Sequence, residues 1–133
     1  MRKIFPVLLF TALAWNPIWA EAGDYENIAG GYDDTRAMAA FDGSLWIVDG
    51  GTLWRVEADG SYRSIGSGYN DTRAMAAFGD FLWIVDDGTL WKVKTDGSYE
   101  SAGSGYGDTR AMAVMDGSLW IVDGSTLWKV ATK

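Results

Sequence analysis

Short apolar and aromatic runs, separated by turn dipeptides, make up most of the chain after residue 30. In the first stretch the runs cover residues 35–41, 45–48, 53–57 and 62–65, and the dipeptides between them are Asp42-Gly43, Gly50-Gly51 and Asp59-Gly60. Asp-Gly and Gly-Gly suit two-residue hairpin turns, because both central residues of such a turn take positive φ. The pattern therefore predicts four antiparallel strands, which we name A to D, and no helix.

This four-strand unit recurs with a period of 37 residues. The phrase Gly-Tyr-x-Asp-Thr-Arg-Ala-Met-Ala opens at Gly31, Gly68 and Gly105, and residues 31–67 match residues 68–104 at 27 of 37 positions. A period of this length is typical of repeat architectures in which each repeat is one supersecondary unit. The rest of the chain is therefore expected to be copies of one structural unit.

The third copy, residues 105–133, ends before its strand D. Residues 24–30, near the start of the chain, align with the strand D segments at 60–66 and 97–103. We therefore predict three complete units, cut so that the last strand of a unit stands first and completes the third copy.

The hairpin turns also predict which residues face each other across the strands. Counting back from the turns, Ala39 faces Trp46, Trp46 faces Arg55, and Arg36 faces Asp49. The last pair predicts a salt bridge at the strand end, repeated as Arg73–Asp86 and Arg110–Asp123. A bidentate contact between Arg and a carboxylate would be a sufficient structural role for these residues.

Strand B does not alternate between apolar and polar residues, since residues 45–48 read Leu-Trp-Ile-Val. A sheet with one solvated face should alternate, so both faces of each sheet are expected to be covered. Four-stranded sheets of about 40 residues, each packed between two neighbours, are the blades of a β-propeller. The fold class we predict is all-β, with three four-stranded antiparallel propeller blades.

The phrases G-Y-x-D-T-R-A-M-A, L-W-I-V-D-G-G-T-L-W-R-V and D-G-S-Y resemble the short-repeat β-propellers of the tectonin and tachylectin-like lectin family. The resemblance covers nearly all of residues 21–133 and implies a propeller that binds sugars. Propellers need about four to eight blades, so three cannot close a ring. We expect a homodimer that closes as a six-bladed ring, each chain supplying its strand D to the other. A β-prism or a β-trefoil is the alternative architecture, although the Gln-x-Asp-x-Asn-x-Val-x-Tyr motif of β-prism lectins is absent.

The first 20 residues differ in composition from the repeats. Arg2 and Lys3 precede an apolar run at 4–15, and small residues follow at Ala20 and Ala22. This order predicts a secretory signal peptide at 1–20, cleaved after Ala20 or Ala22. The run is shorter than the roughly 20 residues that span a bilayer, so no membrane span is expected after cleavage. The propeller domain, residues 21–133, is expected to be secreted or periplasmic.

The overall composition excludes several kinds of binding site and catalytic site. The net charge is −7, which argues against a nucleic-acid partner, because phosphate binding needs clustered Lys and Arg. The chain has neither Cys nor His, so thiol catalysis, a Ser-His-Asp triad and Cys/His zinc sites are excluded. Turn carboxylates such as Asp33 and Asp34 lack the spacing of a known calcium loop. We predict no catalytic residue, no metal and no cofactor.

The connections from strand D of one unit to strand A of the next contain the candidate ligand-binding residues. In a propeller these connections share one edge with the B–C turns, where Arg and Asp would bind hydroxyl groups and an exposed Tyr ring would stack on a sugar. The candidates are Tyr32, Asp34, Arg36, Tyr69, Asp71, Arg73, Tyr106, Asp108 and Arg110. The two Trp of each unit are expected in the core, with one facing a basic residue in a cation–π contact.

Three copies of one arrangement suit multivalent binding, in which weak sites add avidity, whereas catalysis usually relies on one asymmetric site. The leading interpretation is an exported, non-enzymatic, carbohydrate-binding protein of lectin type, with a glycan or another surface ligand as its partner. The alternative is an extracytoplasmic scaffold for protein interactions.

Overall fold

The computed structural model describes residues 21–133, and within that range the chain forms eleven β-strands and no helix. The strands are β1 (Thr35–Phe41), β2 (Ser44–Asp49), β3 (Thr52–Val56), β4 (Tyr62–Ser67), β5 (Thr72–Phe78), β6 (Phe81–Asp86), β7 (Thr89–Val93), β8 (Tyr99–Ser104), β9 (Thr109–Met115), β10 (Ser118–Asp123) and β11 (Thr126–Ala131). They form three antiparallel sheets, which we number in chain order: β1-β2-β3-β4, β5-β6-β7-β8 and β11-β10-β9. The predicted order of strands A to D is confirmed in sheets 1 and 2, and sheet 3 contains A to C.

The described residues 21–30 belong to a unit separate from residues 31–133. The predicted signal peptide, 1–20, lies outside the described residues, and residues 21–30 contain no strand beyond a single bridge at Tyr25. Gly23 has a φ of 93°, against 89° and 91° at Gly60 and Gly97. The 37-residue step of the repeats matches residues 23–29 with 60–66, so the predicted alignment of 24–30 with 60–66 is one residue out of step, and the similar φ of the three glycines agrees with the 37-residue step. Its pairing with a partner chain stays a prediction.

In the first unit the first two turns have the predicted conformation, but the third does not. Asp42-Gly43 has φ values of 52° and 76°, and Gly50-Gly51 has 60° and 81°, as two-residue hairpins require. Between β3 and β4 the Glu57 N–H donates to the Ser61 carbonyl at 2.8 Å, so five residues connect the strands. The two-residue turn predicted at Asp59-Gly60 is wrong. The Asp59 carboxylate instead accepts hydrogen bonds from Ser61 N and Oγ, which stabilise the wider loop.

The register across the strands is as predicted except at the start of strand A. Trp46 faces Ala39 on one side and Arg55 on the other. A β-bulge between Thr35 and Ala37 places Thr35, not Arg36, opposite Asp49. The predicted Arg36–Asp49 salt bridge is therefore wrong, as are Arg73–Asp86 and Arg110–Asp123, because the same bulge recurs in the other two sheets. A bulge inserts one extra residue into a strand, so counting from the hairpin turn fails beyond it.

Both faces of sheet 2 are apolar and covered, as expected for a propeller blade. We call the face that bears the strand B tryptophan (Trp46, Trp83 or Trp120) the front face, and the other the back face. The front of sheet 1 packs on the back of sheet 2 through Phe41, Trp46, Val48 and Leu53 against Met75, Leu82, Ile84 and Val93. The front of sheet 2 packs on the back of sheet 3 through Trp83, Val85 and Leu90 against Leu119 and Ile121. The first strands of the three sheets contact one another in turn, β1 with β5 and β5 with β9.

Candidate functional site

The D–A connections and the B–C turns meet at one edge of the stacked sheets, which we call the crossing rim (residues 31–36, 49–52 and their copies). Tyr69 N donates to the Gly51 carbonyl at 2.9 Å, and Tyr106 N donates to the Gly88 carbonyl at 3.0 Å. These bonds tie each connection to the B–C turn of the preceding sheet, so the predicted meeting of the two loops is confirmed. Gly51 has a positive φ, and a Cβ there would collide with the side chain of Asn70.

The carboxylate at the end of each strand B supports the backbone of the rim. Asp86 Oδ1 accepts hydrogen bonds from Asp71 N at 2.9 Å and Thr72 Oγ1 at 3.0 Å. Asp86 is 7% exposed and Thr72 2% exposed, so this cluster is buried. The same bonds recur around Asp49 and Asp123. The sequence interpretation missed the threonine, although a Thr follows the Asp in all three connections.

Each predicted Arg pairs with the Asp two residues before it in the chain. The Nε atoms of Arg36, Arg73 and Arg110 lie 3.3, 3.4 and 3.4 Å from Oδ1 of Asp34, Asp71 and Asp108. All six side chains are between 42% and 66% exposed. An exposed ion pair contributes about 0–1 kcal/mol to stability, so these pairs add little to the fold and remain accessible to a ligand.

The tyrosines do not extend from the rim as exposed rings. Tyr69 is 7% exposed and belongs to the core between sheets 1 and 2, so the expectation of an exposed ring is wrong there. Tyr106 is partly buried against the core between sheets 2 and 3, and Tyr32 is also partly buried. Burial raises the pKa of Tyr69, and the charges of Tyr99 and Asp86 raise it further. The structure therefore pairs each predicted Arg with a predicted Asp and buries the Tyr residues fully or in part.

The tryptophans of strand B lie in the core where a neighbouring sheet covers them. Trp46 is 0% and Trp83 2% exposed. The predicted cation–π contacts are present, with Arg55 Cζ 5.5 Å from the Trp46 ring and Lys92 Nζ 5.6 Å from the Trp83 ring. The third copy of the contact is Lys129 over Trp120, also at 5.6 Å.

A depression of 410 Å³ lies at the edge opposite the crossing rim, beside Phe78, Asp116 and Lys133. None of the nine candidate residues lines it. In residues 21–133 no three acidic side chains are grouped closely enough to hold a metal ion. The same range contains no helix that is long and apolar enough to cross a membrane.

Comparison with known protein families finds no matching family model. Comparison with curated proteins finds no match either. Similar solved structures include a streptogramin B lyase, with a TM-score of 0.61 and 16% identity over 74% of this chain and 37% of that one. PorZ, a surface component of the type-IX secretion system of Porphyromonas gingivalis, has a TM-score of 0.61 and 15% identity over 74% of this chain and 14% of its own. Virginiamycin B lyase from Staphylococcus aureus with quinupristin has a TM-score of 0.57 and 14% identity, over 80% of this chain and 44% of its own.

These similarities show the fold and nothing more specific. The matched structures are β-propeller-like, so the prediction of an all-β repeat protein of propeller type is confirmed. The chain spans between 14% and 44% of the length of the three structures. The tectonin and tachylectin-like family stays a resemblance, and the activities of these proteins are their own.

Proposed function

We propose that this protein is an extracytoplasmic, non-enzymatic scaffold that binds a protein partner through the crossing rim. The observation that carries the proposal is the repeated, half-exposed Arg–Asp pair at 3.3–3.4 Å on the three connections. Each pair offers a charged donor and a charged acceptor side by side, which suits a partner surface with alternating charges. Three equivalent weak contacts reinforce one another when one partner engages them together.

A protein partner is favoured over a sugar by the position of the tyrosines. Sugar recognition at this rim was to rest on stacking against a Tyr ring, and Tyr69 is buried in the core. The Arg–Asp pairs that remain provide charge recognition, which proteins use to select partners. Carbohydrate binding is the second candidate function, since the same guanidinium and carboxylate groups are suited to sugar hydroxyls and the sequence resembles a lectin family.

One variant tests both candidates. Replacing Arg36, Arg73 and Arg110 by Gln removes the three charges, and Arg63→Gln on β4 removes one exposed charge away from the rim as the control. The proposal predicts that an envelope protein captured by the wild type and by the control is lost with the triple variant. A glycan array that binds the wild type but not the triple variant would establish the second candidate. Equal binding by all three proteins in both assays contradicts the proposal.

We further propose that two chains close one six-bladed propeller, as the repeat count leads us to expect. Sheet 3 has an open front face, where Leu127 is 60% exposed. The back face of sheet 1 is open in part: Met38 is 56% and Leu45 37% exposed, against 8% and 0% for their equivalents Met75 and Leu82, while Ile47 and Val56 are buried. Front and back faces are the two halves of each junction inside the chain, so the front of one copy is complementary to the back of another. Contacts of this head-to-tail kind form a ring when the rotation closes, and six blades lie within the usual range.

A further inference from the structure

The outer edge of sheet 3 differs from the outer edges of sheets 1 and 2. Strand β11 is the last strand of its sheet in the described part of the chain, whereas its equivalents β3 and β7 are each covered by a strand D. An edge strand presents backbone donors and acceptors that can pair with another strand. The edge of β11 therefore has the geometry of a docking position for one more strand.

The tryptophans of strand C report the same difference in their side-chain contacts. Trp54 lies edge-on to Tyr62 of β4 with ring centroids 5.4 Å apart, and Trp91 lies edge-on to Tyr99 of β8 at 5.3 Å. The third tryptophan, Trp128, is 50% exposed. Strand D thus supplies an aromatic partner in sheets 1 and 2, and sheet 3 needs the equivalent ring.

The 37-residue step identifies that ring and its neighbour. Counted in steps of 37 residues, Gly23 is equivalent to Gly60 and Gly97, which have a similar φ, and Tyr25 is equivalent to Tyr62 and Tyr99. Tyr25 is 50% exposed. The residue after it is Glu26, which is equivalent to Glu100 of sheet 2.

The charges across the last two strands agree with this register. In sheet 2 Lys92 faces Glu100, and their charged atoms lie 4.0 Å apart. Lys129 lies one 37-residue step after Lys92, and Glu26 lies two such steps before Glu100, so the equivalent pair in sheet 3 is Lys129 opposite Glu26, again a base opposite an acid. Opposite charges that face each other across antiparallel strands stabilise the pairing.

We infer that residues 23–30 of a second copy of this chain form the fourth strand of sheet 3, with Tyr25 against Trp128 and Glu26 opposite Lys129. This inference rests on the proposed two-chain ring and specifies how each junction closes. We assign this strand to a second copy for two reasons. Residues 23–30 repeat the sequence of the strands that cover β3 and β7 within the chain. The front face of one copy and the back face of another are also the two kinds of face that pack together inside the chain.

Introduced cysteines test the register directly, since the chain contains none of its own. We would make Glu26→Cys with Lys129→Cys and treat the protein with a short bifunctional maleimide, which bridges side chains of facing residues about 5 Å apart. The matched control is Lys92→Cys with Glu100→Cys, the equivalent pair inside sheet 2. We expect a covalent dimer from the first variant and a cross-linked monomer from the control. A cross-linked monomer from the first variant, or no cross-link when the control reacts, overturns the inference.

Charge exchange provides a second readout that does not depend on cross-linking. Glu26→Lys or Lys129→Glu places like charges opposite each other and is expected to raise the dimer Kd about two- to fivefold at each junction. The two changes together should restore the wild-type Kd. If the single changes leave the Kd unaltered, the register is wrong. A dimer by light scattering with no cross-link would retain the ring but reject this strand, and a monomer would reject both. Partner capture at the crossing rim is measured separately.

Discussion

The units of sheets 2 and 3 are identical at 19 of 29 aligned positions, yet their front faces differ in exposure. Leu90 and Leu127 occupy the same position on strand C, but Leu90 is 0% exposed and Leu127 60% exposed. Trp83 is buried, while Trp120, its equivalent, is partly exposed. The difference comes from the neighbour, since sheet 3 covers the front of sheet 2 and none of the described sheets covers the front of sheet 3. The end sheets thus retain the residues of an interface without its second half.

The free energy gained by burying one junction is large for a chain of this size. Burying one leucine or valine side chain contributes about 1.5–3 kcal/mol, and each closed junction buries several of them. A domain of about 100 residues has a net stability of about 5–15 kcal/mol. Covering the open front of sheet 3 and the exposed part of the back of sheet 1 would therefore change the stability of the chain substantially.

The largest expected effect separates the closed junction from the open one. Leu90→Ala leaves a cavity in the core and should lower the free energy of unfolding by about 2–5 kcal/mol. Leu127→Ala should act mainly through chain association, by raising the dimer Kd. Urea unfolding at two protein concentrations distinguishes the two variants. If Leu127→Ala alters neither the Kd nor the unfolding free energy, the open face is not an interface.

The buried contact between Thr72 and Asp86 gives a smaller expected effect, and its equivalent in sheet 1 is again the comparison. Thr72→Val removes a hydroxyl donor from buried Asp86 and should cost about 1–3 kcal/mol of unfolding free energy. Thr35→Val removes the equivalent donor from Asp49 in sheet 1. Because Thr35 is exposed, this change should cost less unfolding free energy in the monomer. Thermal or urea unfolding measures both. Equal losses in the monomer would show that burial by the adjacent sheet does not determine the strength of this cluster.

The smallest expected effect is on the stability of the chain at alkaline pH, through Tyr69 in the core between sheets 1 and 2. Because burial raises the pKa of Tyr69, the native state favours the neutral phenol. The associated stability is fully present below the unfolded pKa of about 10 and is lost as the pH rises through the folded pKa. Tyr69→Phe should reduce the loss of stability above pH 10, and Tyr62→Phe, whose ring is 65% exposed, is the control. An unchanged alkaline limb in Tyr69→Phe would contradict a buried phenol.

Local signals predicted the strands well, because Asp42-Gly43 and Gly50-Gly51 adopt the positive φ that ends one strand and starts the next. The doubly apolar faces followed from strand B alone. The bulge at Arg36 could not be predicted, since no residue type there requires one, and it moved the salt bridge from Asp49 to Asp34.

The burial of the Tyr69 ring also could not be predicted from the sequence. The Tyr69 ring is buried by packing between sheets 1 and 2, and a loop tyrosine looks the same in sequence whether or not a neighbour covers it. The charged residues of the rim lie together for a local reason: Arg73 and Asp71 are two residues apart in the chain and need no distant partner.

The mass of purified residues 21–133 in solution tests the central claim most directly. Multi-angle light scattering at micromolar concentration should give twice the mass of one chain, because two sets of three sheets are needed to close the ring. Dilution should dissociate the dimer, and Leu127→Ala should do so at a higher concentration than the wild type. A stable, folded species with the mass of a single chain, unchanged by concentration, would contradict the account.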